Sequence, residues 1–521
     1  MIRYRSAALV LAGLLAAAAA AGCGSPPGSG EEPRAPVIHL DTGAVRGTEA
    51  DGVARFRGIP YAAPPVGERR WQAPQPPESW RGVRDAATSG PVCLQPEAPE
   101  MPQGLDQSED CLTLDVTAPS GDSGAAGRPV LVWIPGGGFV TGAGSIYDPA
   151  RLVRTGDLVV VTVNYRLGVF GFYAHPELRG SNFGLQDQIA ALSWVRDNIA
   201  RFGGDPGRVT LAGASAGAMS ACTLLTAPPA RGLFQQAIVA SGSCGTSHPA
   251  GAFGAAVGAI STWQPLDAIQ LAGRSLAGRL GCPDVACLRD LPAQALLPHT
   301  GGFPLLAYGT ELVPDEPARV FDTGNQADVP LLQGNTADEH IEFTMAAYPE
   351  PLTADRYSAV LQTAFGPAAA DVEQRYPATE FTSPTAAAGR VFSDYDWICP
   401  SWGSARQHST KAPTYAYIFA DDSAPTPAGT PLPPHVRPAT AHGSDLYYLF
   451  DFPTGPALTP GQQPLADLLV GYWTAFIRSA DPNGADRPHW PPMDEHNTAI
   501  RFGGSTRQVD MKAGHHCALW E

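Results

Sequence analysis

The chain has 521 residues, with 50 acidic and 34 basic side chains, a net charge of −16 and 44% apolar residues. Its apolar content is ordinary, so a large core can be buried, and 57 Gly with 52 Pro stay below the share typical of low-complexity chains. A disordered chain is excluded, as is a multispan membrane protein, because the one long apolar run lies at the extreme N-terminus. The acidic balance argues against a nucleic-acid partner, whose phosphates demand a basic face; Lys411 and Lys512 are the only lysines.

Residues 1–22 read MIRYRSAALVLAGLLAAAAAAG. Arg3 and Arg5 make a basic start, and Ala7 to Ala21 make an apolar stretch too short to span a bilayer comfortably, which predicts an export signal. It ends Ala20-Ala21-Gly22-Cys23, small residues before a cysteine as in the bacterial lipobox, with Ala20 where lipoboxes more often carry Leu. Cys23 is the expected lipidation site, and ordinary signal cleavage among the alanines is the alternative. Residues 23–36 follow as a flexible polar tether, and 37–521 as a single large domain. The expected location is outside the cell, lipid-anchored on the outer face of the membrane or else secreted. Export implies an oxidising compartment, and the eight cysteines left when Cys23 is set aside are an even number suited to disulfides. No Cys-x-x-Cys occurs and no Cys/His cluster has zinc spacing, so no metal site is expected.

Beyond the tether, short β-rich runs alternate with helical patterns. Residues 131–134 (LVWI) and 158–163 (LVVVTV) are nearly unbroken apolar runs, as in strands buried on both faces. Leu185, Ile189, Leu192, Val195 and Ile199 recur at helical spacing, with Asn182 placed to cap that helix. Residues 209–212 read as a strand and 216–225 as a helix, and 236–240, 329–332 and 414–419 are further strands. The Pro-rich segments 63–77 and 424–438 read as surface loops. The alternation predicts an α/β fold with a parallel or mixed sheet and helices on both faces.

Gly213-Ala214-Ser215-Ala216-Gly217 sits between the strand at 209–212 and the helix at 216. A sharp strand-to-helix turn of this kind forces the central serine into a strained conformation, lifts its hydroxyl above the sheet and aims the helix N-terminus at it. The five-residue pattern recurs by chance in other proteins; the strand before it and the helix after it give it weight. Upstream, Gly136-Gly137-Gly138-Phe139 follows the strand at 131–134, and consecutive glycines can turn backbone N–H groups toward one point, as an oxyanion hole requires.

Five segments in order resemble the type-B carboxylesterase/lipase family, the cholinesterase-like branch of the α/β-hydrolases. They are residues 109–116 (EDCLTLDV), 133–139 (WIPGGGF), 202–206 (FGGDP) with the Ser215 turn, 334–339 (GNTADE) and 441–446 (AHGSDL). The resemblance spans about Val37 to Glu521 and implies an α/β-hydrolase fold, with a central, mostly parallel twisted sheet. By position it makes Ser215 the nucleophile, His442 the general base and acid, and Glu339 the carboxylate orienting the imidazole, with Asp338 as the rival acid. It also assigns the oxyanion hole, by position, to the backbone N–H groups of Gly137, Gly138 and Ala216. The implied reaction is hydrolysis of a small-molecule ester, with no cofactor, by a monomer or weak oligomer. The alternatives are a non-catalytic cholinesterase-like binding domain, or a lipase, amidase, thioesterase or carbamate-hydrolase specificity on the same triad.

Three departures from that family stand out. Ala214 occupies the position before the nucleophile, usually Glu, and Pro135 the position before the glycines, often His or Tyr. The loop Leu94 to Asp110 contains no aromatic residue to bind a quaternary ammonium, so no choline specificity is expected. The resemblance also pairs Cys93 with Cys111, Cys282 with Cys287 and Cys399 with Cys517. Cys222 and Cys244 remain, as a fourth bridge or as two buried thiols.

Overall fold

The computed structural model describes residues 35–99, 101–121, 127–427, 429 and 431–521. The expected export signal, Cys23 and nearly all of the tether lie outside the described residues. Eleven strands make the main sheet: β1 (Thr48–Ala50), β2 (Val53–Pro60), β3 (Thr113–Pro119), β4 (Arg128–Ile134), β5 (Val159–Val163), β6 (Gly204–Ala214), β7 (Gln236–Ala240), β8 (Leu331–Thr336), β9 (Thr414–Ala420), β10 (Thr498–Gly503) and β11 (Arg507–Asp510). Their order across the sheet is β11-β10-β9-β8-β7-β6-β4-β5-β3-β2-β1. The stretch from β10 to β5 is parallel. β3, β2 and β1 at one end and β11 at the other run antiparallel.

The apolar runs explain the layering. Side chains alternate between the faces of a strand, so a run without polar interruption needs cover on both. Val130, Val132 and Ile134 of β4 pack in one core with Val159 and Val161 of β5 and with helices on that face. Leu131, Trp133, Val160 and Ile238 pack in a second core on the other face. The helices that matter below are α1 (Ala150–Gly156), α2 (Phe183–Asn198), α3 (Ala216–Thr226), α4 (Ile341–Ala347), α5 (Cys399–Ser409) and α6 (Gln463–Ser479). Leu192 of α2, Leu224 of α3 and Trp402 of α5 belong to the first core, and Leu152 of α1 and Trp473 of α6 to the second.

Several elements differ from the sequence reading. The strand expected at 329–332 runs from Leu331 to Thr336. Pro330 has no N–H to give the ladder, and the polar end Gln333-Gly334-Asn335-Thr336 is wholly buried. The helix expected at 185–199 spans Phe183–Asn198, yet the Asn182 side chain does not cap it. Asn182 instead exchanges two hydrogen bonds with the backbone of Ala307, at 2.8 and 2.7 Å. Segment 63–77 is not all surface: Trp71 is 2% exposed and donates its indole N–H to Val169 O at 2.7 Å. Beside it, Arg70 holds Glu109 through two bonds of 2.7 and 2.6 Å and caps the carbonyls of Arg289 and Leu291. Glu109, in the first resembling segment, is therefore a tie between distant loops.

Four disulfides join Cys93 to Cys111, Cys222 to Cys244, Cys282 to Cys287 and Cys399 to Cys517. The second decides between the open alternatives for Cys222 and Cys244, tying α3 to the segment after β7. Peptide mapping of the non-reduced protein will recover a Cys222–Cys244 linkage. Replacing both with Ala will lower stability by about 2–4 kcal/mol in denaturant titration, as expected for loss of a native bridge.

Candidate active site

Ser215 stands where β6 turns into α3. Its backbone has φ +57° and ψ −124°, a strained combination for any side chain other than glycine. Two contacts hold it: Ser215 N–H donates to Ala240 O at 3.0 Å, and Met219 N–H donates to Ser215 O at 2.9 Å. The turn also needs room, since a Cβ on Gly217 would stand 2.0 Å from Ile134 O, so β4 can lie this close only to glycine. The Ser215 hydroxyl makes no hydrogen bond to another described residue.

The glycine loop leaves the end of β4 beside this turn. Gly137, at φ +109°, accepts from the N–H groups of Val140 and Thr141 and starts a tight reversal that only glycine tolerates. Among the described residues, neither Gly137 nor Gly138 gives its own N–H to an acceptor. Pro135 leaves the start of the loop without a donor, but Tyr165 donates its hydroxyl to Pro135 O at 3.0 Å and pins it there. Farther on, Gln95 clamps Gly142 from both sides: Gly142 N–H donates to Gln95 Oε1 at 2.8 Å, and Gln95 Nε2 donates to Gly142 O at 3.1 Å. Gln95 thus couples the Cys93–Cys111 loop to the glycine loop, a role no local motif announces.

Glu339 and His442 meet although 103 positions separate them. Glu339 Oε2 lies 2.6 Å from His442 Nδ1, and the Glu339 side chain is fully buried. Its other oxygen accepts from Asn335 Nδ2 at 3.0 Å and Thr336 N–H at 2.8 Å. The buried polar end of β8 thus holds the carboxylate. Asp338, the rival acid, points elsewhere: one oxygen takes Arg390 Nη2 at 2.6 Å and the other takes Thr440 N–H at 2.8 Å. With Asp338 N–H donating to Thr440 O at 3.0 Å, it clasps the segment that carries His442. The imidazole rests against two rings, Trp397 at 4.7 Å and Phe343 at 5.4 Å between centroids.

A second buried carboxylate sits close by. Asp445 is fully buried, and Tyr417 donates its hydroxyl to Asp445 Oδ2 at 2.7 Å, while Oδ1 has no hydrogen-bond partner among the described residues. Burial pushes its pKa up from 3.8 to about 6, and the charge of Glu339 adds to the rise. Neither Asp445 nor the two aromatic rings was singled out from the sequence. Their positions relative to His442 depend on how segments far apart in the chain pack.

Residues 34–520 match the Carboxylesterase family. Phenmedipham hydrolase of Pseudarthrobacter oxydans is 35% identical over 498 residues, covering 90% of this chain and 95% of that protein. Para-nitrobenzyl esterase of Bacillus subtilis (strain 168) is 34% identical over 487 residues, covering 88% and 93%. Among solved structures, a thermophilic PNB esterase matches with a TM-score of 0.78 at 31% identity, covering 93% of this chain and 99% of that one. The sheet and its helical layers are those of the α/β-hydrolase fold. The chain belongs to the carboxylesterase family and is a carboxylic-ester hydrolase.

The raised pKa of Asp445 has a signed consequence. The folded state holds this proton more tightly than an unfolded chain, so the stability it contributes is complete below about pH 4 and is lost as pH rises through about 6. Asp445→Asn has no charge to bury. Relative to the wild type, its stability will improve by up to about 3 kcal/mol between about pH 4 and about pH 7, two pKa units at about 1.4 kcal/mol each. Denaturant titrations of both proteins across that range check this.

Proposed function

We propose that the protein cleaves short-to-medium acyl or aryl esters through a Ser215–His442–Glu339 relay. The observation that carries the reading is the 2.6 Å contact between Glu339 and His442 Nδ1, made by a fully buried carboxylate held on its far oxygen by two further donors. A carboxylate there fixes the imidazole with its Nδ1 proton inward and Nε2 free to act as base. Nε2 takes the proton from Ser215 Oγ as the oxygen attacks the ester carbonyl. The carbonyl electrons move onto oxygen, which the N–H groups of Gly137, Gly138 and Ala216 receive; the uncommitted N–H groups of the first two support this role. Collapse of the tetrahedral species expels the alcohol with the proton held by His442. Water, deprotonated by the same imidazole, then attacks acyl-Ser215 and releases the acid. No step calls on a metal or an organic cofactor.

The same reading makes the chain an exported protein, anchored to the outer face of the cell membrane by acylation of Cys23 or else secreted, and monomeric or weakly oligomeric. The basic and apolar leader supports this, as do four disulfides of the kind that persist in oxidising compartments. No helix among the described residues is long and apolar enough to cross a membrane.

A series of p-nitrophenyl esters of increasing acyl length will show a maximum at short or medium chains. Ser215→Ala will lower kcat by about 10⁴-fold or more and Glu339→Gln by about 10³–10⁴-fold. Undiminished hydrolysis by Ser215→Ala would remove the nucleophile from the scheme. For the anchor, Cys23→Ala will move the protein from the membrane fraction to the soluble one, and mass spectrometry of the native N-terminal peptide will show a diacyl group on Cys23.

A further inference from the structure

One polar cluster lies outside the Ser215–His442–Glu339 group, and ester hydrolysis makes no use of it. His248 comes from the segment after β7, His340 from the start of α4, and Asp396 from the helical turn Ser393–Ile398. A nitrogen or oxygen from each lies within 4.8 Å of the other two. His248 Nδ1 is 2.9 Å, and His340 Nε2 3.4 Å, from the same oxygen, Asp396 Oδ2. His340 and Asp396 are fully buried and His248 is 9% exposed.

Hydrogen bonding alone leaves this cluster unbalanced. Among the described residues, His340 Nε2 and Asp396 Oδ1 are buried without a hydrogen-bond partner. Thr344 Oγ1 lies 3.0 Å from His340 Nδ1. If Nδ1 carries the proton, the Nε2 lone pair faces a carboxylate oxygen. If Nε2 carries it, the donor is misaligned with that oxygen. A cation between the two removes the conflict in the first tautomer, in which Nδ1–H donates to Thr344 Oγ1, an outer hydrogen bond serving the purpose that a carboxylate, carbonyl or water serves for metal-bound histidines.

We propose that His248, His340 and Asp396 form a divalent-metal site suited to Zn²⁺. Two imidazoles and one carboxylate match that ion, whereas Ca²⁺ and Mg²⁺ require oxygen-rich sites. Bonds of about 2.0–2.1 Å in a tetrahedron set ligand atoms roughly 3.4 Å apart, which the 3.4 Å separation of His340 from Asp396 matches, while the 2.9 Å pair of His248 and Asp396, a hydrogen bond without the ion, opens by about 0.5 Å. The third pair, His248 and His340, lies within 4.8 Å and draws together on the ion, with water in the fourth position. The surrounding shell is apolar, with Phe253 against both histidines and Phe392 against His340. The ion's role is structural. His340 is joined directly to Glu339, and Asp396 to Trp397, whose ring rests on His442. An ion here cross-links three segments around the catalytic imidazole.

The full-length protein, dialysed against chelator and back into metal-free buffer, will bind one equivalent of Zn²⁺ by calorimetry. Co²⁺ in its place will give the visible absorption of a tetrahedral site, a readout that needs no variant. Zn²⁺ will raise the melting temperature and Ca²⁺ will not. His248→Ala and Asp396→Asn will each weaken Zn²⁺ binding at least tenfold, with folding checked by circular dichroism. His442→Ala will leave the stoichiometry unchanged. The proposal fails if the wild type takes up no Zn²⁺, if the cluster variants bind as tightly as the wild type, or if His442→Ala alone abolishes binding.

Discussion

A carboxylate removed from water organises the centre of this molecule. An ionised carboxylate buried without partners is strongly unfavourable, so Glu339 is tolerable only where its oxygens are met. Asn335, Thr336 and His442 meet them. Two of those partners belong to the buried polar end of β8, which explains why a strand deep in the sheet ends in Asn and Thr rather than in Val and Ile. The third arrives from 103 positions downstream, held in place by the Asp338 clasp on Thr440. Adjacent acidic residues thus divide the work: one faces the imidazole and the other fixes the chain that carries it.

The sheet makes this meeting possible. Parallel strands expose their C-terminal ends along a single edge, and β4, β6 and β8 deliver there the glycine loop, the Ser215 turn and the Glu339 segment. Burial on both faces keeps those ends fixed relative to one another. The strained backbone of Ser215 persists because β4, β7 and α3 leave it no other conformation.

What the sequence disclosed follows the range of the interaction concerned. Strands such as those at 131–134 and 158–163 were legible because a nearly unbroken apolar run states its own burial. The strands Val53–Pro60 and Thr113–Pro119 were not, because Arg55, Arg57 and Asp115 interrupt them and find partners only in the fold. Asn182 had the sequence of a helix cap and became a tether to Ala307, a choice made by a residue over a hundred positions away. The triad positions came from resemblance to a family, since nothing local distinguishes His442 from eleven other histidines. Trp397, Phe343 and Gln95 carried no signal, for each acquires its place from packing between distant segments.

The outer boundaries of the sheet carry one more implication. β1 is only three residues, Thr48-Glu49-Ala50, and β11 reads Arg507-Gln508-Val509-Asp510, with neither end strand offering a fully buried side chain. Short, charged borders make poor templates for another chain's backbone, so the long apolar strands between them are shielded from edge-to-edge aggregation. The parallel interior can therefore be greasy enough to hold the reactive groups rigid while the rim keeps neighbouring molecules from polymerising.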